Sequence, residues 1–339
     1  MSATASRLQT ALGDPRLIRA IVLFVSAGVL LYLGAMFWSG WQETASALSA
    51  LGLPMLLAGA CVASTTYLWR FARWELTLRR YGYAVPRWRH LAIYMSGLAL
   101  TATPGKSGET FRSALLIQQG VKLPHSLAAF IVDRATDVLG MCLLGFCAAM
   151  AVGQQLAWAW MLGFAGLLLG SRAFAYALLH PRTGAWWDWL ARSLRWLPVQ
   201  GGQAMLESWA TVWTLPRVTA FSAVAMVAYG TQALLFAAFC HFAGTGVTPE
   251  LCVLIFVQAT LFGAASMLPG GLGAMEAALV IQLVERGVGS GVAVSLAIAI
   301  RLVTLWLAMV IGALCLLSVS KGSQQAPAAA TGQTPDRLA

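Results

Sequence analysis

The chain has 339 residues, of which 59% are hydrophobic and only 10% are charged, against about 25% charged residues in soluble domains. Its net charge of +10 does not indicate nucleic-acid binding, because the basic residues are scattered between apolar runs and form no recognised nucleic-acid motif. The apolar runs have roughly the 20 residues that an α-helix needs to cross about 30 Å of hydrocarbon. The sequence therefore predicts an all-α, polytopic transmembrane helical bundle, since helices satisfy their own backbone polar groups in lipid.

Six apolar runs are long enough to be full membrane spans. They lie near residues 17–38, 53–72, 126–151, 155–179, 218–242 and 290–319. The first run is too long for a signal-peptide core of roughly 7 to 15 residues, so it predicts a retained span. Residues 1–319 are thus expected to form a single transmembrane domain. Residues 320–339, rich in Gln, Ala, Pro and Thr, predict a disordered cytoplasmic tail.

Two further apolar stretches are interrupted by proline and glycine. Residues 91–118 contain the sequence Thr-Pro-Gly-Lys-Ser-Gly-Glu at 103–109, and residues 250–286 contain Leu-Pro-Gly-Gly-Leu-Gly at 268–273. Proline removes a backbone donor and glycine is a poor helix former. We therefore expect each stretch to form two short helices joined by irregular backbone.

The distribution of Lys and Arg decides between crossing and re-entrant arrangements of these two stretches, because short cytoplasmic loops carry an excess of both residues. If both stretches are re-entrant, nearly every basic residue falls on the cytoplasmic side, including those of segment 180–217 and also Arg70 and Arg73. Both termini are then cytoplasmic, in a plasma (inner) membrane. Segment 180–217 mixes arginines with six tryptophans and predicts a linker at the level of the lipid headgroups.

The two interruptions resemble each other and indicate an internal repeat. In each, a Pro-Gly pair is followed by a glycine and a glutamate: Pro104, Gly105, Gly108 and Glu109 in the first, and Pro269, Gly270, Gly273 and Glu276 in the second. Glu109 precedes Arg134 by the same distance in sequence as Glu276 precedes Arg301. An odd number of spans separates the two repeats, about 53–151 and 218–319, so they run in opposite directions. Inverted repeats with broken helices form midplane sites in many transporters.

Eight ionisable residues fall at predicted membrane depth, where each costs roughly 2.5–3.5 kcal/mol. The cations are Lys106, Arg112, Arg134 and Arg301, and the anions are Glu109, Asp133, Asp137 and Glu276. Two interpretations stay open. The cations bind an anionic substrate while the carboxylates hold them or exchange protons, or the charges only pair with each other and lock the bundle. In the first interpretation the two broken segments complete the substrate site with Pro104, Gly105, Gly108, Pro269, Gly270, Gly271 and Gly273.

Other kinds of site have little support in the sequence. Six cysteines lie within apolar runs without CxxC or His/Cys ligand spacing, so they predict neither a disulfide nor a metal site. No nucleophile and base pair, P-loop or metalloprotease motif is present. We therefore expect a protein that is not an enzyme and that has no cofactor.

The motifs carry a family resemblance. Arg73-Trp74, the segment 103–109, Val132-Asp133-Arg134, and the segment 268–273 with Glu276 resemble the lysylphosphatidylglycerol synthase transmembrane-region family, also called flippase-like membrane proteins. The likeness spans roughly residues 15–319. It implies the movement of lipids between leaflets, including aminoacylated phospholipids or polyisoprenyl-linked intermediates.

The resemblance also implies that six residues are important for function: Lys106, Glu109, Arg112, Asp133, Arg134 and Glu276. Members that make lysyl-lipid carry an additional soluble aminoacyl-transferase domain, which this sequence lacks. Lipid aminoacylation is therefore not expected of this chain.

Three functions follow as hypotheses, led by a lipid translocator whose polar cavity takes an anionic headgroup and opens sideways to the bilayer. A proton-coupled transporter of a small soluble anion is expected to have a closed cavity. A scaffold that anchors a glycosyltransferase or another lipid-biosynthesis enzyme is expected to have one-to-one salt bridges and no cavity. The expected partners are membrane lipid and such an enzyme, and nucleic acid is not expected.

Overall fold

The structure is a computed structural model that describes residues 41–101, 109, 111–155, 157–179 and 202–324, in which every regular element is helical. The helices are α1 (Trp41–Arg80), α2 (Arg87–Ser96), α3 (Arg112–Ile117), α4 (Leu123–Ala151), α5 (Ala157–Leu179), α6 (Gly202–Val212), α7 (Leu215–Phe242), α8 (Pro249–Ala265), α9 (Ala274–Val284), α10 (Ser290–Arg301) and α11 (Leu307–Gln324). Short 3-10 segments lie at Gly97–Leu100 and Pro269–Gly271. A π-helical turn, Leu302–Trp306, joins α10 to α11.

Several of these helices match the length of a bilayer. Four described stretches are long and apolar enough to cross a membrane: Leu51–Arg80, Ala157–Ala177, Leu215–Phe242 and Ser290–Val319. Helix α4 has 29 residues, which also exceeds the roughly 20 that a span needs, although it carries three charged residues. The predicted spans 53–72, 126–151, 155–179 and 218–242 each coincide with one helix, and 290–319 coincides with α10 and α11 and the π-helical turn between them. The predicted span 17–38 lies outside the described residues. The chain is a multi-pass helical membrane protein.

Prolines and one glycine set the helix boundaries. Pro124, Pro216 and Pro249 stand in the first turn of α4, α7 and α8, where the missing N–H has no helical partner to lose. Helix α1 is kinked at Gly52, whose φ of 72° glycine adopts without a steric penalty. Pro54 follows at once, so the apolar part of α1 starts as a new helical segment.

Helices α4 and α7 form the centre of the bundle. Helix α7 packs on α1, α4, α8 and α10, and α4 packs in addition on α1, α5, α6 and α8. The α4–α7 contact is close at Gly140, where a Cβ would lie 2.7 Å from the Cβ of Ala225 and 2.8 Å from the carbonyl oxygen of Ser222. Helix α5 lies at the edge of the bundle, where most of its surface is exposed and faces lipid in a membrane.

The second interrupted stretch is broken as predicted. Helix α8 ends at Ala265, α9 starts at Ala274, and irregular backbone joins them. Gly271 is required in this connection, because its φ is 66° and a Cβ would lie 3.1 Å from the carbonyl oxygen of Gly263. We call residues 266–273 the α8–α9 loop.

The first interrupted stretch is described only at its two flanks. A 3-10 segment continues α2 as far as Leu100, and α3 starts at Arg112. Residues 102–108 lie outside the described part of the chain, and with them the predicted site residues Pro104, Gly105, Lys106 and Gly108.

The prediction for the C-terminal tail needs correction. Helix α11 continues to Gln324, so residues 320–324 are helical rather than disordered, and 325–339 lie outside the described residues. In the linker 180–217, Trp209 and Trp213 are only 4% and 1% exposed, because they pack against α4 and α5. The linker residues 180–201 are not described.

Helix α6 is tied to the end of α1 by a tyrosine just outside the membrane-spanning part. The Tyr81 hydroxyl donates a hydrogen bond of 2.8 Å to the carbonyl oxygen of Ser208. Burial raises the pKa of Tyr81 above its ordinary value, so the hydroxyl keeps the proton that it donates.

Candidate functional site: a buried charge cluster beside a cavity

Seven charged side chains meet where α1 and α4 cross beneath the start of α3. They are Arg70, Arg73, Glu109, Arg112, Asp133, Arg134 and Asp137, and we call them the charge cluster. Asp133 and Asp137 are four residues apart and share one face of α4. Arg73 reaches both of them, with Nε 2.9 Å from Asp133 Oδ1 and Nη2 2.7 Å from Asp137 Oδ1. This contact fixes α1 against α4 through charge-assisted hydrogen bonds.

Arg70 and Arg73 are the residues that the sequence reasoning missed. The sequence predicts both on the cytoplasmic side, among basic loop residues, whereas α1 continues to Arg80 and their side chains are buried against the aspartates of α4. Arg73 is 1% exposed, and Arg70 Nη2 lies 3.3 Å from Asp137 Oδ2. The signal was a polar stripe at helical spacing, since Thr66, Arg70, Arg73 and Thr77 are all buried on one face.

Arg112 is held beneath two aromatic rings. Its guanidinium carbon lies 3.7 Å from the ring centroid of Trp74 and 4.7 Å from that of Tyr94, which is cation–π geometry. Its Nη2 lies 3.5 Å from Asp133 Oδ2, and its Nη1 lies 3.9 Å from Glu109 Oε2. Arg112 was predicted to bind substrate, but it does not line the cavity described below and instead holds the two carboxylates in place.

A second, smaller charged group lies at the α8–α9 loop. Arg301 Nε contacts Glu276 Oε1 at 2.7 Å, and its Nη2 donates a 2.6 Å hydrogen bond to the carbonyl oxygen of Gly270. Its Nη1 lies 3.5 Å from the sulfur of Met275. Because all three nitrogens have partners, Arg301 holds the loop and the start of α9 against α10.

A cavity of about 250 Å³ separates the two charged groups. Its walls come from α4, α7, α8, α9, α10 and the α8–α9 loop, and they consist of Arg134, Asp137, Val138, Met141, Tyr229, Thr260, Gly263, Ala264, Leu268, Gly270, Gly271, Met275 and Arg301. Most of these residues are apolar or small. The cavity is therefore amphipathic, with charged side chains on an otherwise mainly apolar wall.

Arg134 is the cluster member best placed to meet a ligand. Its Nη2 lies 3.1 Å from Asp137 Oδ2 and 3.7 Å from Glu109 Oε2, but its Nε makes no hydrogen bond to any described residue. The side chain is 21% exposed, more than any other in the charge cluster. Arg134 thus keeps a donor that no described residue accepts, and its side chain lines the cavity.

Five of the predicted site residues line this cavity: Arg134, Asp137, Gly270, Gly271 and Arg301. Glu109, Asp133 and Glu276 lie outside the wall and contact arginines. The two glutamate and arginine pairs that have equal spacing in the sequence are both in contact. Pro269 and Gly273 belong to the loop but do not line the cavity.

Metal binding has no support in the described part of the chain. There, no group of three or more His, Cys, Asp or Glu side chains is placed to hold a metal ion. The aspartates of α4 face arginines instead, as the ion pairs above require.

The fold and site together define a multi-pass helical membrane protein with a buried charge cluster, two members of which, Arg134 and Asp137, line a cavity between the helices. The family model described as lysylphosphatidylglycerol synthase TM region matches residues 25–312. Because this match covers most of the chain, the protein belongs to the lysylphosphatidylglycerol synthase TM region family, which confirms the resemblance seen in the motifs. No curated protein matches the sequence.

Proposed function

We propose that the protein is a lipid translocator of the plasma (inner) membrane that catalyses no covalent step. It moves an anionic or aminoacylated phospholipid, or a polyisoprenyl-linked lipid, between leaflets. The observation that carries this proposal is the amphipathic cavity, which has the partly free guanidinium of Arg134 on an otherwise mainly apolar wall. In this proposal the headgroup enters the cavity and the acyl chains stay in the bilayer.

The size and opening of the cavity favour a lipid headgroup. Its volume of about 250 Å³ is below the roughly 300–1,000 Å³ of pockets that enclose whole drug-sized ligands. Leu268 lines the cavity and is also 45% exposed, so the cavity reaches the outer surface of the bundle at this side chain. A headgroup fits inside while the attached chains leave past Leu268.

The two alternative functions account for less of the structure. A small soluble anion would need the charged wall, but it would leave the apolar wall of Val138, Met141 and Met275 without a partner. A scaffold needs the ion pairs but no cavity, and it gives no reason for a donor on Arg134 that no described residue accepts. Anchoring of a lipid-biosynthesis enzyme stays compatible with transport as an additional role.

The proposed architecture is an inverted repeat with two re-entrant elements and both termini in the cytoplasm. Arg134 and Arg301 stand equally far along the sequence from the starts of their helices, α4 at Leu123 and α10 at Ser290. At about 1.5 Å per residue, each arginine lies roughly 17 Å along its helix, which is near the middle of a 30 Å hydrocarbon core. Each also contacts its own repeat's glutamate, which supports the equivalence of the two halves.

Lipid scrambling by purified protein tests the proposal. The protein is reconstituted into vesicles with phosphatidylglycerol that carries a fluorophore on an acyl chain, and transfer between leaflets is followed by quenching of the outer leaflet. Arg134→Ala is expected to lower the rate about tenfold or more, because a charge-assisted hydrogen bond to the phosphate is lost. Arg134→Lys keeps the charge and is expected to keep part of the rate.

The matched control is Arg286→Ala, which removes an exposed arginine outside the cluster and is expected to leave the rate unchanged. Equal rates for the wild type and Arg134→Ala, in vesicles with equal protein content, contradict a role of the cavity in lipid movement.

A further inference from the structure

We infer that Cys240 and Cys252 form a disulfide bond across the connection between α7 and α8. The inference does not depend on the lipid function, but it requires the proposed orientation, in which this connection lies outside the cytoplasm. The sequence predicts no disulfide here, because residues 241–251 separate the two cysteines and neither belongs to a CxxC motif.

The hairpin of α7 and α8 brings the two cysteines together. Cys240 lies in the last turn of α7, which ends at Phe242, and Cys252 lies at the start of α8, which begins at Pro249. Both residues are fully buried, and both belong to the same hydrophobic cluster. The Cys240 thiol donates a hydrogen bond to the Cys252 sulfur. The two sulfur atoms therefore face each other within the hairpin.

Hydrogen bonds within the connection hold the cysteines in this arrangement. The carbonyl oxygen of Cys240 accepts from Thr245 twice, from the backbone N–H at 3.2 Å and from the hydroxyl at 3.1 Å. The Val247 N–H donates to the Thr245 hydroxyl at 3.4 Å, and the Cys252 thiol is 3.9 Å from the carbonyl oxygen of Val247. Thr245 and Val247 thus link one cysteine to the other, so the connection itself sets their approach.

The proposed orientation places this pair on the oxidising side of the membrane. With the amino terminus in the cytoplasm, α7 starts at the cytoplasmic face and ends at the outer one, so residues 243–248 lie outside. They contain no Lys or Arg, which is typical of an outer loop. Disulfides form and persist in the bacterial periplasm and outside cells, whereas the cytosol keeps thiols reduced.

Formation of the bond is a two-electron oxidation by thiol–disulfide exchange, in which a disulfide-bearing oxidant of the outer compartment takes the electrons. The thiolate of one cysteine attacks the disulfide of the oxidant, which gives a mixed disulfide and releases one oxidant thiol. The thiolate of the other cysteine then attacks the protein sulfur of the mixed disulfide. The bond between Cys240 and Cys252 forms, and the oxidant leaves as a dithiol that carries both electrons and both protons.

The burial of both cysteines sets the order of events. Because exchange needs access to the sulfur atoms, it occurs before the hairpin packs into the bundle. The finished bond is then shielded from reductants. It joins the two helices that supply Tyr229, Thr260 and Gly263 to the cavity wall.

Mass spectrometry on the full chain reads the state of the two thiols. Bacterial cells that carry the protein in the inner membrane are precipitated in acid and dissolved in denaturant with N-ethylmaleimide, which blocks every free thiol. Trypsin leaves both cysteines on one peptide, residues 218–286, since no Lys or Arg lies between Arg217 and Arg286. We expect this peptide to be unlabelled and two hydrogen atoms lighter than its dithiol form. Reduction before the maleimide step is expected to give two labels.

Two variants serve as matched controls. Cys240→Ser leaves Cys252 without its partner, so the peptide is expected to carry one maleimide. Cys142→Ser removes a buried cysteine of α4 outside the pair and is expected to leave the peptide unlabelled. Two maleimides on the wild-type peptide overturn the inference, and this result needs no variant to fold.

The orientation is tested separately with a thiol in the exposed part of the connection. Thr248→Cys is introduced into a chain that carries Cys240→Ser and Cys252→Ser, and spheroplasts are treated with a membrane-impermeant maleimide. Labelling from outside is expected, and the same chain without Thr248→Cys gives the background.

The outcomes separate the inference from the other proposals. If Thr248→Cys is labelled only after the membrane is opened, the orientation and the disulfide both fail. If it is labelled from outside while the wild-type peptide carries two maleimides, the orientation stands and the disulfide alone is overturned. The lipid proposal depends on neither result, because scrambling rates in vesicles decide it.

Discussion

Arg73 joins the two aspartates of α4 from inside the bundle. Its side chain has no exposed surface, and it makes the two shortest ion pairs of the charge cluster, at 2.7 and 2.9 Å. Removing one partner of a buried pair leaves the other partner desolvated and without its charge-assisted hydrogen bonds. Arg73 therefore fixes Asp133 and Asp137. It also fixes Arg134 indirectly, because Arg134 follows Asp133 on α4 and contacts Asp137.

We expect Arg73→Ala to lower the free energy of unfolding by about 3–5 kcal/mol, the cost of breaking a buried pair. Arg79→Ala is the matched control, since Arg79 lies on the same helix and contacts Glu75 at 2.7 Å but is 47% exposed. An exposed pair contributes roughly 0.2–1 kcal/mol. Denaturant titration of the purified variants in detergent measures both, and equal losses would contradict the structural role assigned to Arg73.

Individual charged residues were predictable where they stood inside an apolar run. An ionisable residue at predicted membrane depth is costly and needs a functional or pairing role. This argument identifies Glu109, Arg134 and Asp137 as candidate site residues. Arg70 and Arg73 were not identified, because they follow an apolar run of span length and so fit the expectation for basic residues at a cytoplasmic helix end. Their position after the apolar run does not distinguish them from loop residues. Their spacing does, because it places both on one face of α1.

At the scale of elements, glycine decides how closely α4 and α7 approach. The backbone of α7 lies within 2.8 Å of the Cβ position of Gly140, so no side chain fits between the two helices there. This contact positions Asp137 and Tyr229, which lie on α4 and α7 and meet at 3.2 Å on the cavity wall. Close helix packing at small residues is the usual way in which membrane helices associate.

Gly140→Ala is expected to lower the free energy of unfolding by roughly 1–3 kcal/mol, because the added methyl group forces α4 and α7 apart. The matched control is Gly166→Ala on α5, where nothing lies within 4 Å of the Cβ position and alanine is the better helix former. This control is expected to lose no stability. If thermal unfolding in detergent were equally affected in both variants, packing at Gly140 would not be the cause.

Some elements follow from local sequence and others do not. Pro269 and the glycines after it predicted the break between α8 and α9, because they act on the backbone directly. The π-helical turn at Leu302–Trp306 has no such signature and was not predicted. It contacts α1, where the Tyr67 hydroxyl donates a 2.8 Å hydrogen bond to the carbonyl oxygen of Thr304, a distant partner in the chain that local sequence does not specify.

At the scale of the whole molecule, the cavity joins the two proposed halves of the chain. Arg134 comes from the first half and binds the ligand in our proposal, whereas Arg301 comes from the second half and holds the loop that forms the opposite wall. Sequence spacing predicted that these arginines are counterparts. It did not predict that Arg134 Nε makes no hydrogen bond to a described residue while Arg301 is committed to Gly270, because that difference depends on side-chain contacts.

If both arginines serve one cavity, their substitutions must be coupled. In a double-mutant cycle on the binding of short-chain phosphatidylglycerol, Arg134→Lys and Arg301→Lys are expected to deviate from additivity by about 0.5 kcal/mol or more, as substitutions at a shared site do. The charge of each residue is kept, so the cycle reports geometry rather than net charge. A control cycle of Arg134→Lys with Arg286→Lys is expected to be additive, because Arg286 is exposed and does not line the cavity. Additivity in both cycles would mean that the two halves act at separate sites, and the single-cavity proposal would then fail.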